Sequence, residues 1–306
     1  MKSIKSMNTL NQGRSEMKKN NTFTLKKLVL ALALAGYTMS SAYAVMTSPT
    51  GTIQGAAPVL SALSNSAVNA VDFSHVAQTA GVMTSGDTIT MTYSYGDTDG
   101  DADDSTAHVT WYYTKGGVDT AIVGGIVNTP AATIGGTGTS VLTVPAAAIG
   151  ATAIRVEVQE YSASGDPISG TTINIADVSN GGGGTGPNPP VGPVVPGSNV
   201  TPGIYLSTDV AFANNLIGSA TNLAVGQTYV FKLWDSAAVG TTDLTATVPG
   251  YTWHLVGTSA TDNITGDFTT SVSGSNFTIP VNSAADGTPL TGSADGAQGF
   301  SLAVDY

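Results

Sequence analysis

The chain has 306 residues, ten Lys and Arg against twenty-one Asp and Glu, and no cysteine. Disulfides, cysteine-ligated zinc and thiol catalysis are therefore excluded. Seven of the ten cations precede residue 45, which leaves three cations against twenty acids and a net charge of −17 for the remainder; such a surface repels phosphate backbones and anionic headgroups, so nucleic acid and direct membrane insertion are not expected.

The N-terminus reads as an export signal. Lys18, Lys19, Lys26 and Lys27 form a basic flank, Leu28 to Ala35 (LVLALALA) a short apolar core, and Ala42-Tyr43-Ala44 a small-residue cleavage site. The apolar run is far shorter than the roughly 20 residues a membrane-spanning helix needs. Residues 1–44 are thus expected to direct the chain through the periplasm to the outside of a bacterium, and 45–79 to form an N-terminal arm or contribute a first strand.

Beyond this point the patterning has a period of two. Ile89-Thr-Met-Thr-Tyr93, Ile154-Arg-Val-Glu-Val158 and Phe300-Ser-Leu-Ala-Val304 alternate apolar and polar residues between Gly- and Asp-rich turns. Short alternating runs predict half-buried antiparallel strands. Residues 180–202, NGGGGTGPNPPVGPVVPGSNVTP, combine flexible Gly with stiff Pro and read as an interdomain linker. The flanks resemble each other: HVTWYYTKGG around Trp111 matches GYTWHLVGTS around Trp253, and each is followed by a strand ending at a proline, Pro145 and Pro280. Two diverged copies of one β-unit are the economical account. The expected fold is all-β: two immunoglobulin-like β-sandwich domains, 80–178 and 203–306, joined through 179–202. Trp111 and Trp253 would plug the space between the sheets.

Five aspartates, Asp97, Asp99, Asp101, Asp103 and Asp104, fall between Tyr95 and Trp111. A convergent set of carboxylates can hold calcium, but the EF-hand spacing fails, with Ala102 where Gly is needed and His108 where a bidentate Glu is needed. The competing reading is a solvated hairpin turn joining a strand over 89–95 to one over 106–113. A catalytic carboxylate pair needs contrasting environments, which a wet turn does not offer. His75, His108 and His254 are the only histidines, and none has a metal-binding spacing. No GxSxG elbow or nucleotide-binding glycine pattern is present. Neither catalytic residues, nor cofactor, nor metal ligands are assigned, and the chain is expected not to be an enzyme. Arg155, Glu157 and Gln159 form the polar face of an ordinary strand. The strand Phe300 to Val304 is either the last strand of the second domain or an edge offered to another protein's sheet.

The segments GDTITMTYSYGDTDGDADDSTAHVTWYY and SVLTVPAAAIGATAIRVEV resemble the immunoglobulin-like repeats of exported proteins in the bacterial intimin/invasin group, and in particular the Zir-type exoproteins. The resemblance covers 80–178 best and 203–306 less well. It implies a secreted or surface-held β protein that binds protein partners: an outer-membrane exporter, a sister exoprotein or a host surface protein. Its role would be in adhesion or host interaction. A pilus or fibre subunit assembled through the C-terminal strand is the alternative, and an exported hydrolase a further one.

Overall fold

In the computed structural model, residues 46–235, 242–248, 250–279 and 289–306 are described. The export signal expected over 1–44 lies outside them. Residues 54–306 form one compact unit. The described residues contain β-strands and short 3₁₀ turns, and no α-helix. No described helix is long and apolar enough to cross a membrane.

The first half is a two-sheet β structure. β1 (Val59–Ser61) and β2 (Asp72–Val76) share one edge of β3 (Thr88–Gly96), the first pairing with residues 94–96 and the second with 88–92. The segment expected as an arm or a first strand therefore contributes two strands to the sheet. The chain then crosses to the facing sheet as the hairpin β4 (Val109–Lys115) and β5 (Val118–Ile122). It returns with β6 (Ile126–Thr129) and β7 (Thr137–Thr143), which covers the other edge of β3. It crosses once more to β8 (Ala153–Tyr161) and β9 (Ser169–Ile175), which complete the order β5-β4-β8-β9.

The second half repeats most of this circuit. β10 (Thr201–Leu206) pairs with β11 (Thr228–Trp234). The hairpin β12 (Thr252–Thr258) and β13 (Thr265–Ser273) lies in another sheet. β14 (Phe277–Thr278) returns to β11, and β15 (Phe300–Asp305) pairs with β12.

Alternation explains the cores. In β3, Ile89, Met91, Tyr93 and Tyr95 are fully buried while the residues between them are only partly covered. Ile154, Val156 and Val158 do the same on β8. Trp111 and Trp253 sit on inner strands of their sheets with 0% exposure, as the repeat predicts. Trp111 meets Phe73 edge-on at 6.4 Å and its Nε1–H donates to Ser140 Oγ at 2.9 Å. Trp253 lies 5.5 Å from the Phe277 ring and donates to the Ser275 carbonyl at 2.8 Å. A buried aromatic of this size removes about 150–250 Å² from water, roughly 4–6 kcal/mol at ~25 cal/mol per Å². An exposed ion pair such as Arg155–Asp119 contributes at most about 1 kcal/mol. The plugs, not the surface charges, hold the sheets together.

The Gly/Pro-rich stretch is docked rather than free. The Val71 N–H donates to Gly182 O at 2.8 Å, Gly150 N–H to Val194 O at 2.7 Å, and Val195 N–H to Met83 O at 2.9 Å. A Cβ on Gly182 would stand 2.5 Å from a Val71 methyl carbon. At least this part of the polyglycine run permits close backbone approach. Val194 lies in the first core, Val200 in the second, and Ala146 and Ile149 of the first half pack into the second core as well.

Candidate functional site

The acidic loop is not the solvated hairpin turn expected. β3 and β4 belong to different sheets, so the loop carries the chain from one to the other. Asp97 and Asp103 are buried. Asp97 Oδ1 accepts the backbone N–H groups of Asp99, Gly100 and Asp101 at 2.9, 3.0 and 3.3 Å. Asp103 accepts from the Tyr93 hydroxyl at 2.7 Å, from Ala131 N–H at 2.8 Å and from Ser105 N–H at 2.9 Å. Burial first, and then the Asp103 carboxylate, push the Tyr93 hydroxyl above the ordinary phenol range, which keeps it a donor. The two outer acids reach distant chain: Asp99 accepts from Ala56 N–H at 2.6 Å, and Asp101 from Ser164 Oγ at 2.5 Å.

One carboxylate oxygen from each of Asp97, Asp99 and Asp101 lies within 4.8 Å of the others. That is three of the roughly six to eight oxygens a calcium ion takes. Each of the three carboxylates also accepts hydrogen bonds from the chain itself, so the loop holds its shape through its own donors. Asp104 stands apart, 3.7 Å from His108 Nε2.

The histidines are dispersed. His108 stacks on Tyr161 at 3.8 Å, in the 3₁₀ turn before β4. His254 Nδ1 faces Asp267 Oδ1 across β12 and β13 at 2.6 Å. His75 Nε2 lies 2.9 Å from Asp87 Oδ2, a buried pair that the sequence reading did not find. Burial alone would raise the Asp87 pKa; hydrogen bonds from Thr84, Gln78 and His75 outweigh it and hold the carboxyl below its usual value. This turn also anchors the docked stretch, since Ser85 Oγ accepts from Gly197 N–H and Gln78 Oε1 from Ser198 N–H, both at 2.9 Å. Arg155 bridges Asp119 at 2.7 Å and Glu157 at 2.9 Å on the outer sheet face, as an ordinary strand would.

One hollow of about 360 Å³ lies in the first half, against Ile173, Ile175 and Gly181, and three adjoining ones lie in the second half. A groove of about 460 Å³ is lined by Ile204, Leu216 and Phe231 on one side and by Leu302, Val304 and Tyr306 on the other. Two further hollows adjoin it, and all three share Thr221 and Leu223. β15 forms one wall and, among the described residues, has a strand partner on one side only, β12. Its counterpart in the first half, β8, is paired on both sides, by β4 and β9. Sequence reading marked the 300–306 wall through its alternation. On the opposite wall Ile204 and Phe231 belong to β10 and β11, whereas Leu216, Ile217 and Leu223 come from the irregular loop between those strands, which has no periodicity that could have marked it.

The chain was compared with protein-family models and with curated proteins, and it matches none.

Proposed function

We propose that the chain is a secreted or cell-surface bacterial module that works by binding other proteins. It acts as an exported partner of an intimin/invasin-like outer-membrane protein, with a role in adhesion or host interaction. In this reading the two halves are immunoglobulin-like sandwiches related to the Zir-type exoproteins, and the docked 179–202 stretch joins them. Export runs through the periplasm on the signal read in residues 1–44.

The single observation that carries the reading is the open edge of β15 beside an apolar groove. A strand edge exposes a row of backbone donors and acceptors, and a neighbouring apolar surface supplies pockets for alternate side chains; together these are what strand-addition binding uses. The test is direct binding of labelled, purified residues 45–306 to isolated bacterial outer membranes and to epithelial cells. Saturable binding that disappears after protease treatment of the acceptor surface is expected. Failure to bind either surface would contradict the proposal.

The same edge favours a second reading, a fibre subunit in which β15 pairs with another copy. That reading requires concentration-dependent assembly, lost when residues 300–306 are deleted while the first half stays folded. A monomer at all concentrations would end it.

A further inference from the structure

The two halves can be placed in register through their tryptophans. Trp111 stands opposite Val156 across β4 and β8, and Trp253 stands opposite Val304 across β12 and β15. Val304 is thus the counterpart of Val156, and Tyr306 that of Val158. In the first half the far side of these residues is occupied: Val156 pairs with Ile175 and Val158 with Ile173, both on β9. Ile173 and Ile175 are buried while Thr172 and Asn174, which alternate with them, face solvent. At the corresponding place in the second half lies the groove, walled by Leu302, Val304 and Tyr306.

β15 also differs from the other edges around it. β10 carries Pro202, β13 is bulged against β12 near Trp253, and β14 is two residues long. Each of these devices discourages pairing. β15 has six residues, FSLAVD, without Pro, Lys or bulge.

Charge selects among occupants. Residues 45–306 carry a net −17, and Lys115, Arg155 and Lys232 are their only cations. Arg155 and Lys232 are already engaged by acids on their own half. Two copies would bring like charge to like charge, whereas a basic segment meets complementary potential.

We propose that the free edge of β15 and its groove take an extended basic segment of a partner protein as an added antiparallel strand. This rests on the protein-binding function proposed above. The segment lies where β9 lies in the first half: apolar side chains beside Val304 and Tyr306 enter the groove, and Lys or Arg at alternate positions face outward.

Two probes and one variant test it. The probes are synthetic peptides of the β9 sequence, one with Thr172→Lys and Asn174→Lys, the other with Glu at both positions. The variant carries a copy of residues 159–178 fused after Tyr306, which continues β15 as β8 continues and folds a strand back along it. Expected are binding of the Lys peptide at least about tenfold tighter than the Glu peptide at low salt, slowed amide exchange over 300–306 when it binds, a higher Tm for the fused variant, and loss of peptide binding by that variant. Equal binding of the two peptides, or a fused variant with unchanged Tm and unchanged peptide binding, would overturn the proposal. So would a dimer of the native chain that the fusion dissolves, because the occupant would then be a second copy. The two proposals fail separately. Cell or membrane binding that survives the fusion removes the strand site and leaves the protein-binding function. Peptide binding without any surface binding supports the strand site and removes that function.

Discussion

Val304 stands opposite Trp253 in the β12–β15 ladder, with the groove on its far side. The same tryptophan–valine relation in the first half is closed by Ile175. One plan thus carries a closed sheet edge in the first half and, among the described residues, an open one in the second.

Asp103 and Asp97 lie six residues apart and should respond differently to amidation. Asp103 Oδ2 accepts from both Tyr93 Oη–H and Ala131 N–H, and Oδ1 from Ser105 N–H. In Asp103→Asn, whichever way the amide turns, its NH₂ faces a donor. Leaving such a buried group unsatisfied costs about 1–3 kcal/mol. Asp97→Asn can keep Oδ1, the atom that accepts three loop N–H groups, and should cost less than about 1 kcal/mol. Urea denaturation of the two variants measures this; equal losses would contradict the placement of Asp103.

Stability should fall in acid partly through Asp87. Its folded pKa is depressed below 3.8, so its contribution is present above that pH and is lost as pH falls through the folded value. Glu160 has the opposite sign. Burial raises its pKa above 4.5, although Leu60 and Thr171 N–H groups oppose the shift. Its contribution is complete below pH 4.5 and is lost as pH rises through the raised value. Asp87→Asn should therefore lose about 1–3 kcal/mol at neutral pH, and the deficit should shrink below pH 3.8. A deficit that stays constant with pH would contradict the pairing.

Gly138 faces Tyr93 across β3 and β7, and a Cβ there would overlap the tyrosine ring. Gly138→Ala should cost about 1–3 kcal/mol by overpacking, despite the gain in strand propensity. Thermal unfolding of this variant beside Gly124→Ala, where a Cβ meets open space, separates the packing effect from a general glycine effect. Similar Tm values for the two would refute the contact.

The acidic loop should keep its shape without a cation, because chain donors already engage Asp97, Asp99 and Asp101. Adding EDTA should leave the Tm unchanged. A fall in Tm that disappears in the Asp99→Asn, Asp101→Asn double variant would instead assign the three converging oxygens to a bound ion.

The parts of this structure that were legible in the sequence are those written in local periodicity. The alternation of Ile89–Tyr93, Ile154–Val158 and Phe300–Val304 gave strands, and the repeated tryptophan gave the centre of a sheet in each half. The crossing of the acidic loop was not legible, because it depends on Asp103 meeting Ala131, a contact 28 residues away. The docking of the Gly/Pro stretch was hidden for a different reason. Its bonds to Val71, Met83 and Ala151 are made by backbone atoms, which leave no trace in side-chain pattern. Composition there reports permissive backbone geometry, not freedom from contact. The His75–Asp87 pair and the part of the groove wall supplied by Leu216, Ile217 and Leu223 arise from tertiary placement alone.

Among the described residues, β15 is paired on one edge by β12 and open on the other. Residue-resolved amide hydrogen exchange on residues 45–306 reads this out: alternating fast and slow amides are expected along Phe300–Asp305, against continuous protection along Ile154–Val158, whose strand has partners on both sides. Continuous protection of Phe300–Asp305, equal to that of Ile154–Val158, would contradict it.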